Sequence, residues 1–139
     1  MARNNHVFLV GDLSGNIRFD VLRLGEEDVQ YLRINLFVKP LEGTSKVTGL
    51  PVVMYGPLAE LVYGHIQSGS RIAVMGHIQQ RTTTKGFKSV EIVAEEVQFI
   101  RNIDWERGEE VRKTLVSRGQ LRPSHVDLVS IETENDYVG

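Results

Sequence analysis

Apolar and polar residues alternate at period two along much of the first hundred positions, in runs parted by Gly, Pro or Asp clusters. That is the pattern of half-buried strands joined by turns. The first run, His6 to Leu13, meets a turn signal at Ser14-Gly15-Asn16, and the second, Ile17 to Leu24, meets another at Gly25-Glu26-Glu27-Asp28. The third is clearer: Leu32, Ile34, Leu36 and Val38 fall on one face and Tyr31, Arg33, Asn35 and Phe37 on the other, which predicts a strand with one wet face. Residues 39 to 50 carry Pro, Gly, Thr and Ser without periodicity and read as a loop. Pro51 to Tyr55 resumes as a short strand, with Val52 and Met54 in phase for the core and Val53 and Tyr55 facing outward.

The period then changes. Leu58, Leu61, Val62 and Ile66 sit at helical spacing behind Pro57, a residue whose missing N–H costs nothing in a first turn, and Gly69 ends the segment. Arg71 to Arg81 reads as a long strand with Ile72, Val74 and Ile78 inward and Arg71, Met75, His77 and Arg81 outward. Thr82 to Gly86 makes a hairpin tip, and the return strand, Phe87 to Ile100, slips out of alternation near Glu95-Glu96 as a bulge would make it. With the split first pair counted as one strand, a single helix lies between strands three and four. That order is the OB-fold, an all-β, five-stranded Greek-key barrel. Past Asn102, Asp104 is placed to cap a helix through Trp105, Val111 and Leu115 to Gly119, Pro123 ends the region, and residues 125 to 131 are compatible with a short strand. The expected division is a barrel domain over residues 1–103 and an acidic C-terminal extension over 104–139.

Charge at first sight argues against a polyanionic partner, since the net value is −2. The average conceals a split: residues 1–103 hold 11 basic and 10 acidic groups, whereas 104–139 hold 5 and 8. Any field for nucleic acid must therefore come from where charges sit rather than from their sum. The absence of cysteine excludes disulfides, thiol catalysis and thiolate zinc sites. The apolar run Val7 to Val10 is far shorter than a signal-peptide core or a membrane span, so a cytoplasmic protein with no membrane association is expected.

Three motifs resemble the bacterial single-stranded DNA-binding protein family over roughly residues 4–102. Asn5-His6-Val7-Phe8-Leu9-Val10-Gly11-Asp12-Leu13 is similar to the family's opening strand, and Val52-Val53-Met54-Tyr55-Gly56-Pro57-Leu58-Ala59-Glu60 to its strand-into-helix passage. Glu91 to Ile100 is similar to its closing strand. The resemblance implies an OB-fold that binds single-stranded DNA without sequence preference, in replication, recombination and repair, as a homo-oligomer, dimer or tetramer, with neither enzymatic activity nor cofactor. It also implies that bases stack on aromatic side chains while basic groups track the backbone. The chain departs from the family pattern where tryptophans would fall, near Gly49 and Thr83, and at Pro51, Pro57, Ser68 and Gln79, where basic groups are replaced. Replication proteins are the partners implied through the family's Gly-, Pro- and Gln-rich tail with its acidic tip, features that residues 104–139 do not reproduce.

The candidate DNA-binding residues are accordingly Tyr55, Phe37, Tyr31 and Phe87 for stacking, Arg33, Arg81, Lys85 and Lys88 for phosphate, and His77 on the same expected face. Arg18 and Arg23 are weaker candidates. Each has a plainer alternative: Phe37 and Tyr31 as subunit contacts, the cations as groups that keep strand edges unpaired, and Trp105 as packing against the barrel or a neighbouring subunit. The histidines lack ligand spacing for a metal, and Glu26-Glu27-Asp28 reads as a solvated turn. A second reading is an OB-fold protein-interaction module, similar to primosomal proteins, with weak or no DNA binding. RNA binding is a third, because stacking does not distinguish the sugars.

Overall fold

The computed structural model describes residues 4–39 and 48–121. Five strands, β1 (Val7–Leu24), β2 (Glu27–Val38), β3 (Thr48–Tyr55), β4 (Arg71–Thr82) and β5 (Lys88–Arg101), are joined by helix α1 (Pro57–His65) and followed by helix α2 (Trp105–Ser117). They close into a barrel in the order β1-β2-β3-β5-β4. All neighbouring pairs are antiparallel except the short parallel pairing of Val52 and Val53 with Ile92 and Val93, which seals β3 against β5. With one helix between the third and fourth strands, this is the OB-fold.

Alternation fills the barrel as the pattern predicts. Leu32, Ile34 and Leu36 from β2, Val52 and Met54 from β3, Ile72 and Val74 from β4, and Ile92 and Phe99 from β5 meet inside, and α1 closes one end with Ala59 and Val62, joined by Ile66 just past its last turn. At the seam between β1 and β4, Asp12 and Arg71 face each other in register, and the guanidinium donates to both carboxylate oxygens at 2.8 and 3.1 Å. The bulge expected near Glu95-Glu96 is present: Met75 pairs with Glu96 but Gly76 with Ala94, so Glu95 is the extra residue.

Several boundaries differ from the sequence reading. Ser14-Gly15-Asn16 is no turn between strands; it is a register irregularity within one continuous β1, between Leu13 and Ile17, that lets a long strand pair first with β4 and then with β2. The turn at Gly25 takes only two residues, so Glu27 and Asp28 belong to β2. Thr48 to Leu50 extend β3, because Val38, Phe37 and Leu36 supply pairing partners for them. Helix α1 stops at His65 rather than continuing to Gly69, since Ile66 turns to extended backbone. Phe87 belongs to the β4–β5 turn, where the Thr83 N–H donates to the Phe87 carbonyl at 2.8 Å and the Phe87 N–H to Thr83 Oγ1 at 3.1 Å, not to β5.

Three side chains also depart from expectation. Val53 points outward but is fully buried, because Arg33 and Val93 flank it on the neighbouring strands. Tyr31 is 7% exposed rather than wet. Ile78, expected in the core, is 48% exposed. It follows Gly76, the last buried position of β4, where the β4–β5 ribbon runs on past the barrel.

Helix α2 packs on α1. Asp104 caps it through the Arg107 N–H at 3.0 Å, as expected, and Trp105 lies against the barrel's core, edge-on to Phe99 and His65. The Arg107 guanidinium donates to the carbonyls of Tyr63, Gly64 and Ile66, oxygens that the C-terminal end of α1 leaves without helical partners. Gly108 allows the two helices to approach closely, since a Cβ there would collide with the His65 ring. Among the described residues no helix is long and apolar enough to cross a membrane. The expected strand over residues 125–131 and the core of the 39–50 loop lie outside the described residues.

Candidate nucleic-acid interface

Counting from the hairpin turns shows which residues share the outer surface. The two-residue turn at Gly25 places Arg18 opposite Arg33 and Asp20 opposite Tyr31, while β3 places Tyr55 on the other side of Tyr31 and Val53 beside Arg33. Counting back from the β4–β5 turn sets Gln79 opposite Glu91 and Arg81 opposite Ser89. The result is an open cleft of about 650 Å³, lined by Arg18 and Leu22 of β1, Tyr31 and Arg33 of β2, Tyr55 of β3, Gln79 to Thr82 of β4 and Glu91 of β5. A smaller hollow of about 290 Å³ adjoins it, sharing Arg18 and Arg33 as a common wall and continuing past Asn16 and Asn35.

Tyr55 is the aromatic surface offered to this cleft. Its side chain is 39% exposed, and the Tyr31 ring beneath, 5.3 Å away and tilted by 48°, props it up. Burial, then the negative charge of Glu91 and the nearby Tyr31, raise the Tyr55 phenol above its ordinary value, so it remains a neutral hydrogen-bond donor at neutral pH. Tyr31 therefore backs the Tyr55 ring and presents little surface of its own to solvent.

Arg18 and Arg33 face each other directly across β1 and β2. Like charges in that position repel, a cost that a bound anion between them would relieve. Arg18 also donates to Asp20 at 2.8 Å, and Arg33 reaches Glu91 at 3.4 Å. Three arginines and one carboxylate line the larger cleft, and with Asp20 paired to Arg18 beside it one positive charge is left in excess, in a protein whose sum is negative.

The remaining candidates are spread along the same outer surface and beyond it. Phe37 continues the row of Tyr31, Arg33 and Asn35 along β2, and its ring lies over Gly49, where a Cβ would come within 2.9 Å of it. A bare backbone at position 49 thus leaves room for an aromatic ring supplied by the neighbouring strand. Lys85 and Phe87 stand on the β4–β5 turn outside the cleft, Phe87 being 70% exposed, and Lys88 pairs with Thr82 at its rim without lining it. His77 also lies outside the cleft, with Nδ1 held 2.6 Å from a Glu95 oxygen at the bulge.

The sequence reading ranked Arg18 as a weaker candidate and did not place Leu22, Gln79 or Glu91 among the binding residues, though all four line this cleft. For Arg18, Gln79 and Glu91 the signal lay in the hairpin registers, because each turn dictates which residue faces which.

A model of the single-strand binding protein family matches residues 4–100, which spans all five strands but for Arg101 at the end of β5, and every residue of this cleft. The chain belongs to that family. No curated protein matches it. Membership in the single-strand binding family carries single-stranded DNA binding as the general activity, and in this family member the cleft puts an aromatic ring and arginines on one surface, the two elements that such binding requires.

Proposed function

We propose that this protein binds single-stranded DNA with little regard to sequence, as a binder rather than a catalyst, in the cytoplasmic work of replication, recombination and repair. The single observation that carries the reading is the half-exposed Tyr55 ring set in the same cleft as the opposed pair Arg18 and Arg33. A base stacks on Tyr55, and its flanking phosphates meet Arg18, Arg33 and Arg81. Phe37 extends the aromatic path along β2, and Lys85, Phe87 and Lys88 extend it along the β4–β5 ribbon, with His77 at its flank. A homo-oligomer, dimer or tetramer, belongs to the same reading. Phe8, 63% exposed, and Val10, 39% exposed, stand on the outer face of β1 beside Met75 and Ala73, an apolar surface suited to a second copy.

Titration of a labelled oligo-dT at low and moderate salt tests the proposal. Tight binding that weakens steeply as salt rises is the expected outcome, because cations are released from the strand as arginines engage phosphate. No binding at micromolar protein would end the reading and leave a protein-interaction barrel in its place. Equal binding of oligo-dT and oligo-U would widen the substrate to RNA.

A further inference from the structure

One group in the cleft has the wrong sign for its surroundings. Glu91 is only 3% exposed, and its backbone cannot swing away, because the next residue, Ile92, pairs with Val52 where the barrel closes. One carboxylate oxygen lies 3.4 Å from Arg33 Nη1 and 4.0 Å from Arg81 Nη1, while the other accepts from Gln79 Nε2 at 3.2 Å. A buried carboxylate needs opposite charge and donors around it, and here two of the cleft's three arginines supply them.

We propose that Glu91 is a built-in competitor for phosphate: it engages Arg33 and Arg81 in the free protein and holds the affinity for single strands below what those arginines alone would confer. The inference rests on the single-stranded DNA reading above. A guanidinium has five N–H donors, so a phosphate can share an arginine with Glu91 rather than expel it. It must nevertheless approach a fixed negative charge, and the shared arginine neutralises less of the strand. The same contact keeps both side chains aimed into the cleft, so Glu91 trades strength of binding for a prearranged site.

The test uses the full chain and Glu91→Gln, which keeps the shape while removing the charge; the Gln79 amide can turn its oxygen toward the new amide. With oligo-dT at low salt, the variant is expected to bind about tenfold more tightly, the scale of one unit charge acting through a solvent-rimmed site. Its plot of log affinity against log salt should steepen by about 0.7 for each arginine that passes to phosphate. Arg81→Met should cost the wild type less than threefold but cost the Glu91→Gln protein about tenfold.

Affinity and slope at or below those of wild type, with an unchanged melting curve, would overturn the proposal. So would a full tenfold loss for Arg81→Met alone, a measurement that does not depend on Glu91→Gln folding. A wild-type chain that fails to bind oligo-dT removes the functional reading and this inference together. One that binds but ignores Glu91→Gln removes only the inference.

Discussion

His65 offers a quantitative test of how α2 is held to the barrel. Its side chain is fully buried, stacked on Phe99 at 4.5 Å, edge-on to Trp105 and pressed by Gly108. Nδ1 donates to the Leu61 carbonyl at 2.7 Å, while Nε2 has no hydrogen-bond partner. A second proton would therefore sit on a buried nitrogen with no acceptor. Burial, with smaller repulsion from Arg112 and Arg107, lowers the imidazole from 6.5 to about 4, although the Leu61 bond and Asp104 act the other way. The unfolded chain thus takes up the proton first as pH falls. Stability is complete above about 6.5 and is lost progressively down to the folded value near 4, by about 3 kcal/mol in all.

Urea unfolding at steps from pH 7 to pH 4 measures that loss. Carboxylates also titrate toward the acid end, so the comparison is with His65→Gln, which cannot titrate but keeps an amide able to donate. Wild-type stability should fall more steeply than that of the variant, the gap narrowing by about 3 kcal/mol across the interval. Parallel curves would refute the reasoning, as would an NMR titration that places His65 near its ordinary value.

Other outcomes follow from the same structure. Tyr55→Ala should weaken oligo-dT binding by about 1–3 kcal/mol with little effect on melting, read by fluorescence anisotropy and circular dichroism. Arg18→Met should reduce the salt slope by about 0.7, and relief of its repulsion with Arg33 should leave the melting temperature unchanged or slightly raised. Gly108→Ala should destabilise the protein by about 1–3 kcal/mol, because its methyl collides with His65, and Trp105 fluorescence should report a loosened α2.

The order of elements, the faces of β2, the bulge at Glu95 and the Asp104 cap were legible from residue spacing alone, because alternation and capping are local properties of the chain. So was the place of Tyr55, with an exposed side and a motif around it. What alternation cannot report is how far an outward side chain is covered by its neighbours. Tyr31, Arg33 and Val53 all point outward, yet Tyr31 and Val53 are buried, because closure of the barrel brings β3 between β2 and β5. The pairing of Arg18 with Arg33 and the meeting of Arg33, Arg81 and Glu91 likewise arise only when distant strands come into register. The sequence by itself determined a barrel with an aromatic on its outer surface. Only the tertiary structure decided which charges share that surface, since electrostatic contact depends on distance in space, and here it joins Arg33 to Glu91, 58 positions apart.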